Sequence, residues 1–310
     1  MTREPSLERC RPMAARWRTL NSRAEASVSG VASLARRYRL PVKVALSIVG
    51  AIALAWVLAN PDRHGTDAYA YWSFDPLHPY EGAFYNLDAS GTFRYSPPLV
   101  LALAPLHALP WPAFLALWTA ITLGALALVG RSWTLALLAI YPVLLEVSVG
   151  NVHVLLALVV VLGFRWPALW SFALLTKITP GIGLLWFLAR GEWRALAIAL
   201  GSTALIAGIS FVIAPDLWPQ WLAVLQSDVG TSAHLSIEVP LAIRLPVAAA
   251  LVIWGARTDH RWTLALATLL ALPTIFPAGF AVLVALVPLL RKPAAAGLPR
   301  LGRWTRRAEA

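Results

Sequence analysis

The chain has 310 residues, of which 59% are hydrophobic and only 13% charged, and its formal net charge is +11 at pH 7. This composition is too apolar for a soluble domain and is typical of proteins that span a membrane. The single cysteine, Cys10, excludes an intramolecular disulfide and a cysteine-based metal cluster. The sequence contains no P-loop, GxGxxG, HExxH or GxSxG motif, so the commonest nucleotide-binding and hydrolase sites are excluded as well.

Positive charge is concentrated at the two ends of the chain. Residues 1–43 hold ten Lys and Arg against three acids, and residues 291–310 hold six against one. Because positive segments stay on the cytoplasmic side, we predict basic cytoplasmic tails at 1–40 (flexible) and 291–310, flanking one membrane domain at 41–290. We expect a multi-pass protein of the cell membrane (inner or plasma membrane) with membrane lipids around it. No soluble fold accompanies the charge, so we expect no nucleic-acid partner.

Apolar stretches predict the helices, since a bilayer core of about 30 Å needs roughly 20 apolar residues per crossing. The first is predicted at 42–59 and has no convincing cleavage site after it, so it is a helix and not a signal peptide. The polar segment 60–94 holds five acids and eight aromatic residues and is predicted to be an ordered outer loop. The later helices are predicted at 97–110, 111–130, 132–148, 151–164, 166–189, 194–213 and 240–255, followed by a last pair split near Pro273 to Pro277.

These ranges predict an all-α polytopic membrane protein with roughly ten transmembrane helices. With the first residue inside, the basic connections 190–194 and 256–261 also fall inside, and a second polar loop at 214–239 falls outside. Arg131 falls outside and is the one exception to the charge rule. The helix at 166–189 is interrupted near Pro180, and no matching interruption indicates an inverted repeat.

The first polar loop carries a candidate general base. Asp67 lies a few residues past the first helix, among the aromatic residues Tyr69, Tyr71 and Trp72. A carboxylate at the membrane edge could deprotonate a substrate hydroxyl, although a solvated loop acid is the simpler interpretation. Asp75 and Asp88 are possible alternatives.

Charged and polar residues inside the apolar stretches are further candidates, because charges at that depth usually face a cavity or a partner. Lys177 could hold a phosphate, could pair with Glu146, or could be a lysine that snorkels to the interface. Glu146 and His153 flank Gly150-Asn151, which predicts either a cavity-lining turn or a plain polar turn. Arg244 begins a later helix and could neutralise a phosphate, and His234 precedes it in the second outer loop.

Five segments match family motifs in order and spacing over roughly residues 42–200. They are the Asp67–Tyr71 neighbourhood, Phe93–Pro98 (like F-x-Y-P-P), Pro105–Pro110 (like P-L-x-x-L-P), Gly150–Leu156 (like G-Q-x-N-x-L-L), and Lys177–Pro180 with the basic turn Arg190–Arg194. In these segments the chain resembles the GT87-type integral membrane glycosyltransferases, which have the GT-C fold and include polyprenyl-phosphate-mannose-dependent mannosyltransferases. It departs from the family at Asn151, where Gln is preferred, at His153, where Asn is preferred, and at Ser96, which splits the Tyr-Pro-Pro.

The resemblance implies a specific reaction. The donor would be a sugar, mannose or similar, on a polyprenyl phosphate, and the acceptor a hydroxyl of a lipid or cell-envelope glycan on the outer face. Asp67 would act as the base and the anomeric carbon would invert, while Lys177 or Arg244, with His234, would hold the donor phosphate. Tyr71, Tyr95, Asn151 and His153 lie in the matching motifs and are implied substrate contacts. No cofactor and no metal site are implied, and dependence on a divalent metal is left open.

Two other functions fit the same sequence features. A transporter or flippase for lipid-linked sugars would share the intramembrane charge and the apolar helices. An inactive accessory subunit would explain the short chain and the motif departures.

Overall fold

A computed structural model describes residues 37–81, 93–226 and 239–290. These residues form helices and connections, and no strand occurs in the described ranges. The α-helices, in chain order, are α1 Arg37–Ala59, α2 Thr66–Ser73, α3 Pro97–Leu103, α4 Trp111–Gly130, α5 Thr134–Leu137, α6 Tyr141–Val149, α7 His153–Leu162, α8 Trp170–Lys177, α9 Leu185–Arg190, α10 Trp193–Ile213, α11 Leu217–Gln226, α12 Leu241–Thr258, α13 Thr263–Leu270 and α14 Leu286–Leu289.

Four helical stretches of the described chain are long and apolar enough to cross a membrane, which confirms an all-helical membrane protein. They are Arg37–Ala59, Trp111–Leu137, Trp193–Ile213 and Leu241–Thr258, and the bent pair α6–α7 makes five if it counts as one span. Most of α1 and α10 is exposed apolar surface, as lipid-facing helices require. The other helical pieces are shorter, so the expected ten crossings and the GT-C fold stay predictions, as do the domain limits.

The structure does not support the predicted crossing at 97–110. Helix α3 continues as a 3-10 helix to Ala108, and the pair is only about 20 Å long, shorter than a bilayer core. Both ends contact α2: the Tyr95 hydroxyl bonds to that of Tyr71, and the Leu109 carbonyl accepts from the Trp72 indole. The segment therefore lies along α2 at one end of the bundle, which we call the α2 end.

The structure also corrects the predicted location of Arg131. Helix α4 starts at the α2 end, where Trp111 packs around Gly65. It ends at Gly130, and the ring of Trp133 in the 3-10 turn that follows lies under the Arg39 and Lys43 cations near the start of α1, at 5.7 and 5.6 Å. The chain then turns back along α1. Arg131 thus lies at the same end as the start of α1, in agreement with the charge rule.

Residues 170–190 form a helical hairpin, whereas the sequence predicted one interrupted helix. The two limbs touch: a Cβ on Gly183 would lie 2.1 Å from the Trp170 ring, and one on Gly181 would lie 2.2 Å from the Leu174 side chain. The turn follows Lys177, where Ile178 has φ +54° and the chain enters the 3-10 helix Thr179–Leu184. Pro180 cannot donate to a continuing α-helix, which favours this break.

Two apolar clusters organise the described residues. The larger one contains residues of every helix from α4 through α10, of α12 and α13, and of the 3-10 helix Pro277–Ala285. The smaller one is rich in aromatic side chains and lies at the α2 end, where α2, α3 and the first turns of α4 meet α11. Helix α11 buries Leu217, Trp221 and Val224 in it, so the segments after α1 and after α10 pack together.

Candidate functional site

The site is built around a sharp bend at Gly150, where α6 and α7 meet at 111°. Gly150 has φ +74°, a left-handed conformation that glycine adopts without steric cost. The Trp118 indole donates to its carbonyl at 2.6 Å, and a Cβ at this position would lie 2.7 Å from that of Ala68. The bend therefore packs directly against α2.

This close approach joins Asp67 on α2 to Asn151 in the bend. The Asn151 amide donates to Asp67 Oδ2 at 2.6 Å, and its own Oδ1 accepts from the Val152 backbone at 2.7 Å. Asp67 is half-buried, and no described residue donates to its Oδ1. One carboxylate oxygen is thus fixed and the other is open to a ligand. The contact joins residues 84 positions apart.

Lys177 reaches the same site from the tip of the 170–190 hairpin. Its ammonium lies 5.5 Å from the centre of the Tyr95 ring, within cation–π range. The Tyr95 hydroxyl bonds at 2.8 Å to that of Tyr71, which is buried one helical turn beyond Asp67. No carboxylate of the described chain forms an ion pair with Lys177, so its charge remains available for an anion.

Ser96, which departs from the family motif, has a structural role that the sequence did not indicate. It is fully buried at the N-cap of α3, and its hydroxyl donates to the carbonyl of Leu175 in the last turn of α8. This bond joins the Tyr95 backbone to the hairpin that carries Lys177. A serine directly before Pro-Pro is a recognisable helix N-cap, but its distant partner is not visible in the sequence.

Glu146 and His153 form a buried pair next to the bend. Both are nearly inaccessible, at 0% and 1% exposed, and His153 Nδ1 lies 2.8 Å from Glu146 Oε2. The alternative that Glu146 pairs with Lys177 is therefore wrong. His153 was implied to contact substrate, but its ring is enclosed beside Gly279, so it can act on the site only through its neighbours.

The groups around Asp67 shift the pKa of its carboxyl group. Burial raises the pKa of the Asp67 carboxyl, and the negative charge of Glu146 adds to the increase. The Asn151 hydrogen bond and the positive charge of Lys177 oppose it. Burial also raises the pKa of the Tyr71 hydroxyl well above its usual value, so Tyr71 stays neutral. The carboxyl has the raised pKa that suits a general base.

The remaining predicted ligands lie elsewhere. Arg244 is buried and donates to the carbonyls of Val239, Leu270, Leu272 and Pro273 at 2.7 to 2.9 Å, which favours a structural role over phosphate binding. His234 lies outside the described residues.

The alternative acids and a metal site receive no support from the geometry. Asp75 is exposed, and its carboxylate accepts from the Leu77 backbone and from His78, which together hold its pKa below the usual range. Asp88 lies outside the described residues. Within the described ranges, no three His, Cys, Asp or Glu side chains cluster closely enough to hold a metal ion.

Comparison with known proteins identifies the family. The chain matches neither a curated protein nor a solved structure. The model of glycosyltransferase family 87 matches residues 93–302, more than half of the chain, which include Tyr95, Asn151, His153 and Lys177. Asp67 precedes the matched range. The chain therefore belongs to glycosyltransferase family 87 and is a membrane glycosyltransferase.

Proposed function

We propose that the protein transfers a sugar from a polyprenyl-phosphate donor to a hydroxyl of a lipid or cell-envelope glycan, with inversion at the anomeric carbon. The observation that carries this proposal is the Asp67 carboxylate, held by Asn151 within the electrostatic reach of the unpaired Lys177 ammonium. A base and a cation are the two groups that such a displacement needs.

Asp67 is the base in this mechanism. Its free Oδ1 accepts the proton of the acceptor hydroxyl, and the oxygen attacks the anomeric carbon from the face opposite the phosphate. The bond between the anomeric carbon and the phosphate oxygen breaks, and the electron pair leaves with the polyprenyl phosphate. The Asn151 amide keeps the carboxylate oriented and ionised, because it donates to the charged form.

Lys177 holds the donor phosphate and neutralises the charge that develops on it. Its position over the Tyr95 ring keeps the ammonium partly desolvated, which strengthens its attraction for an anion. The hairpin tip is the only backbone in the described chain where a non-glycine, β-branched residue, Ile178, has a positive φ. Backbone strain of this kind recurs at functional sites, and here it adjoins the lysine.

The positions of the loops support a site at the outer face. The positively charged start of α1 lies at the opposite end of that helix from α2, and we place this basic end in the cytoplasm of a plasma or inner membrane, with both termini there. The acceptor glycan then reaches Asp67 from outside. Tyr69, Trp72 and Trp111, whose rings pack within 5.7 Å of one another at the α2 end, offer apolar faces to sugars.

The test is a sugar-transfer assay in lipid with polyprenyl-phosphate mannose, and then its arabinose and glucose analogues, and a mixed envelope-lipid acceptor. Asp67→Asn keeps the size of the side chain and removes the base, so product should fall by at least about 100-fold. Asp62→Asn, at an exposed position before α2, is the matched control and should retain full activity.

Each result of the transfer assay excludes a different hypothesis. Product from both variants would remove Asp67 from its role, and loss in Asp75→Asn would then transfer that role to Asp75. No product from the wild type with any donor would refute a polyprenyl-phosphate sugar as the donor.

A further inference from the structure

Glu146 is a buried carboxylate that the proposed mechanism does not use. It lies in the last turn of α6 and is 0% exposed. Its Oε1 accepts from the backbone N–H groups of His153 and Val154, at 2.5 and 3.3 Å, and its Oε2 faces His153 Nδ1 at 2.8 Å. One side chain thus bonds across the bend to the first turn of α7.

These bonds, together with the Trp118 bond to the Gly150 carbonyl, hold Asn151 in place. The first N–H groups of a helix have no partner within it, and a carboxylate at that end satisfies them and complements the helix dipole. Because the carboxylate belongs to α6, it fixes the start of α7 relative to the end of α6. The three residues between them include Asn151, whose amide must stay within 2.6 Å of Asp67. Displacement of the bend would break that contact.

The backbone hydrogen bonds do not explain why residue 146 is a charged glutamate. A buried ion pair gives little net stability, because removing two charges from water costs about as much as their attraction returns. A neutral glutamine could accept the same backbone N–H groups. The titratable groups that act on Asp67 are Glu146, His153 and Lys177, with the Asn151 amide bonded to it and the Tyr71 hydroxyl one turn away. Glu146 is the negative member of this set.

We propose that Glu146 is a positioning residue of the transferase site: it holds the bend that places Asn151 on Asp67, and it supplies the negative charge beside that contact. The proposal rests on the proposed function of Asp67 as the base. It assigns two separable contributions, one from geometry and one from charge. The shorter acid in Glu146→Asp removes mainly the geometric contribution. The amide of equal size in Glu146→Gln removes mainly the contribution of charge.

The experiment compares the pH dependence of kcat/KM for wild type, Glu146→Gln and Glu146→Asp in the transfer assay. The midpoint of the acid limb does not depend on how much enzyme is folded, so it remains readable if a variant is destabilised. We expect Glu146→Gln to move this midpoint to lower pH, because the negative charge that raises the Asp67 pKa is gone. Glu146→Asp keeps the carboxylate but loosens the bend, so its midpoint should move to higher pH, the direction expected when Asn151 no longer donates to Asp67. Its rate should fall by up to about 100-fold, the loss typical of a misplacement of about 1 Å.

A matched control is Glu192→Gln, which removes a carboxylate from the exposed pair with Arg190 and should change neither rate nor midpoint. An unchanged acid limb in Glu146→Gln, or a shift to higher pH, would overturn the role assigned to Glu146 while Asp67→Asn remains inactive. Full activity of Asp67→Asn would instead overturn the proposed function itself. The two failures are therefore distinguishable.

Discussion

The close contact between the bend and α2 makes Gly150→Ala the sharpest test of the site geometry. Alanine at φ +74° costs about 1–2 kcal/mol, and its methyl group would lie 2.7 Å from that of Ala68, an overlap that costs about 1–3 kcal/mol more. We therefore expect a loss of about 2–5 kcal/mol in the free energy of unfolding. Relief by outward movement of α2 would separate Asp67 from Asn151 and lower kcat by up to about 100-fold.

The measurement is denaturant and thermal unfolding in detergent, followed by the fluorescence of the 15 tryptophans, with the transfer assay alongside. Gly208→Ala in α10 is the matched control, because no neighbouring side chain lies within 4 Å of the added methyl group. It should leave stability unchanged or raise it by up to about 1 kcal/mol. Equal stability of Gly150→Ala and wild type would refute the packing of the bend on α2.

Three further predictions follow from the same geometry. Asn151→Leu and Lys177→Met each remove a group that lowers the Asp67 pKa, so both should move the acid limb of kcat/KM to higher pH, and Lys177→Met should also raise the donor KM. Ile178→Gly should raise stability by about 1 kcal/mol in unfolding experiments, because it relieves the strain of a positive φ at the hairpin tip. Arg244→Gln should lower stability by about 2–4 kcal/mol and leave the donor KM unchanged, because its donors are bonded to backbone carbonyls.

Each of these has an outcome that contradicts it. A shift of the acid limb to lower pH in Asn151→Leu would mean that Asp67 is not the group that titrates. Lower stability of Ile178→Gly would mean that the hairpin turn carries no strain. An Arg244→Gln enzyme of normal stability with a raised donor KM would return Arg244 to the donor phosphate.

Local sequence determined the membrane class and the site-bearing segments. The apolar stretches and the basic turns follow from hydrocarbon thickness and charge, which act on each segment separately. The Gly150-Asn151 pair and the Lys177–Pro180 interruption were likewise evident as polar breaks, because a charge or a proline in an apolar helix is conspicuous without any partner.

Tertiary structure decided what those segments do together. Whether 97–108 crosses depended on its contacts with α2 at both ends, and whether 166–189 is one helix or a hairpin depended on Trp170 packing against Gly183. The partners of Asp67 and of Ser96 lie 84 and 79 residues away, and no pattern within one helix encodes such pairs. The sequence alone therefore determined a polytopic membrane protein with candidate polar groups, because burial in lipid is a local property. The remaining contacts are tertiary: Asp67 meets Asn151, Glu146 pairs with His153 and not Lys177, and Arg244 bonds to carbonyls. They depend on which helices pack together, which no single segment encodes.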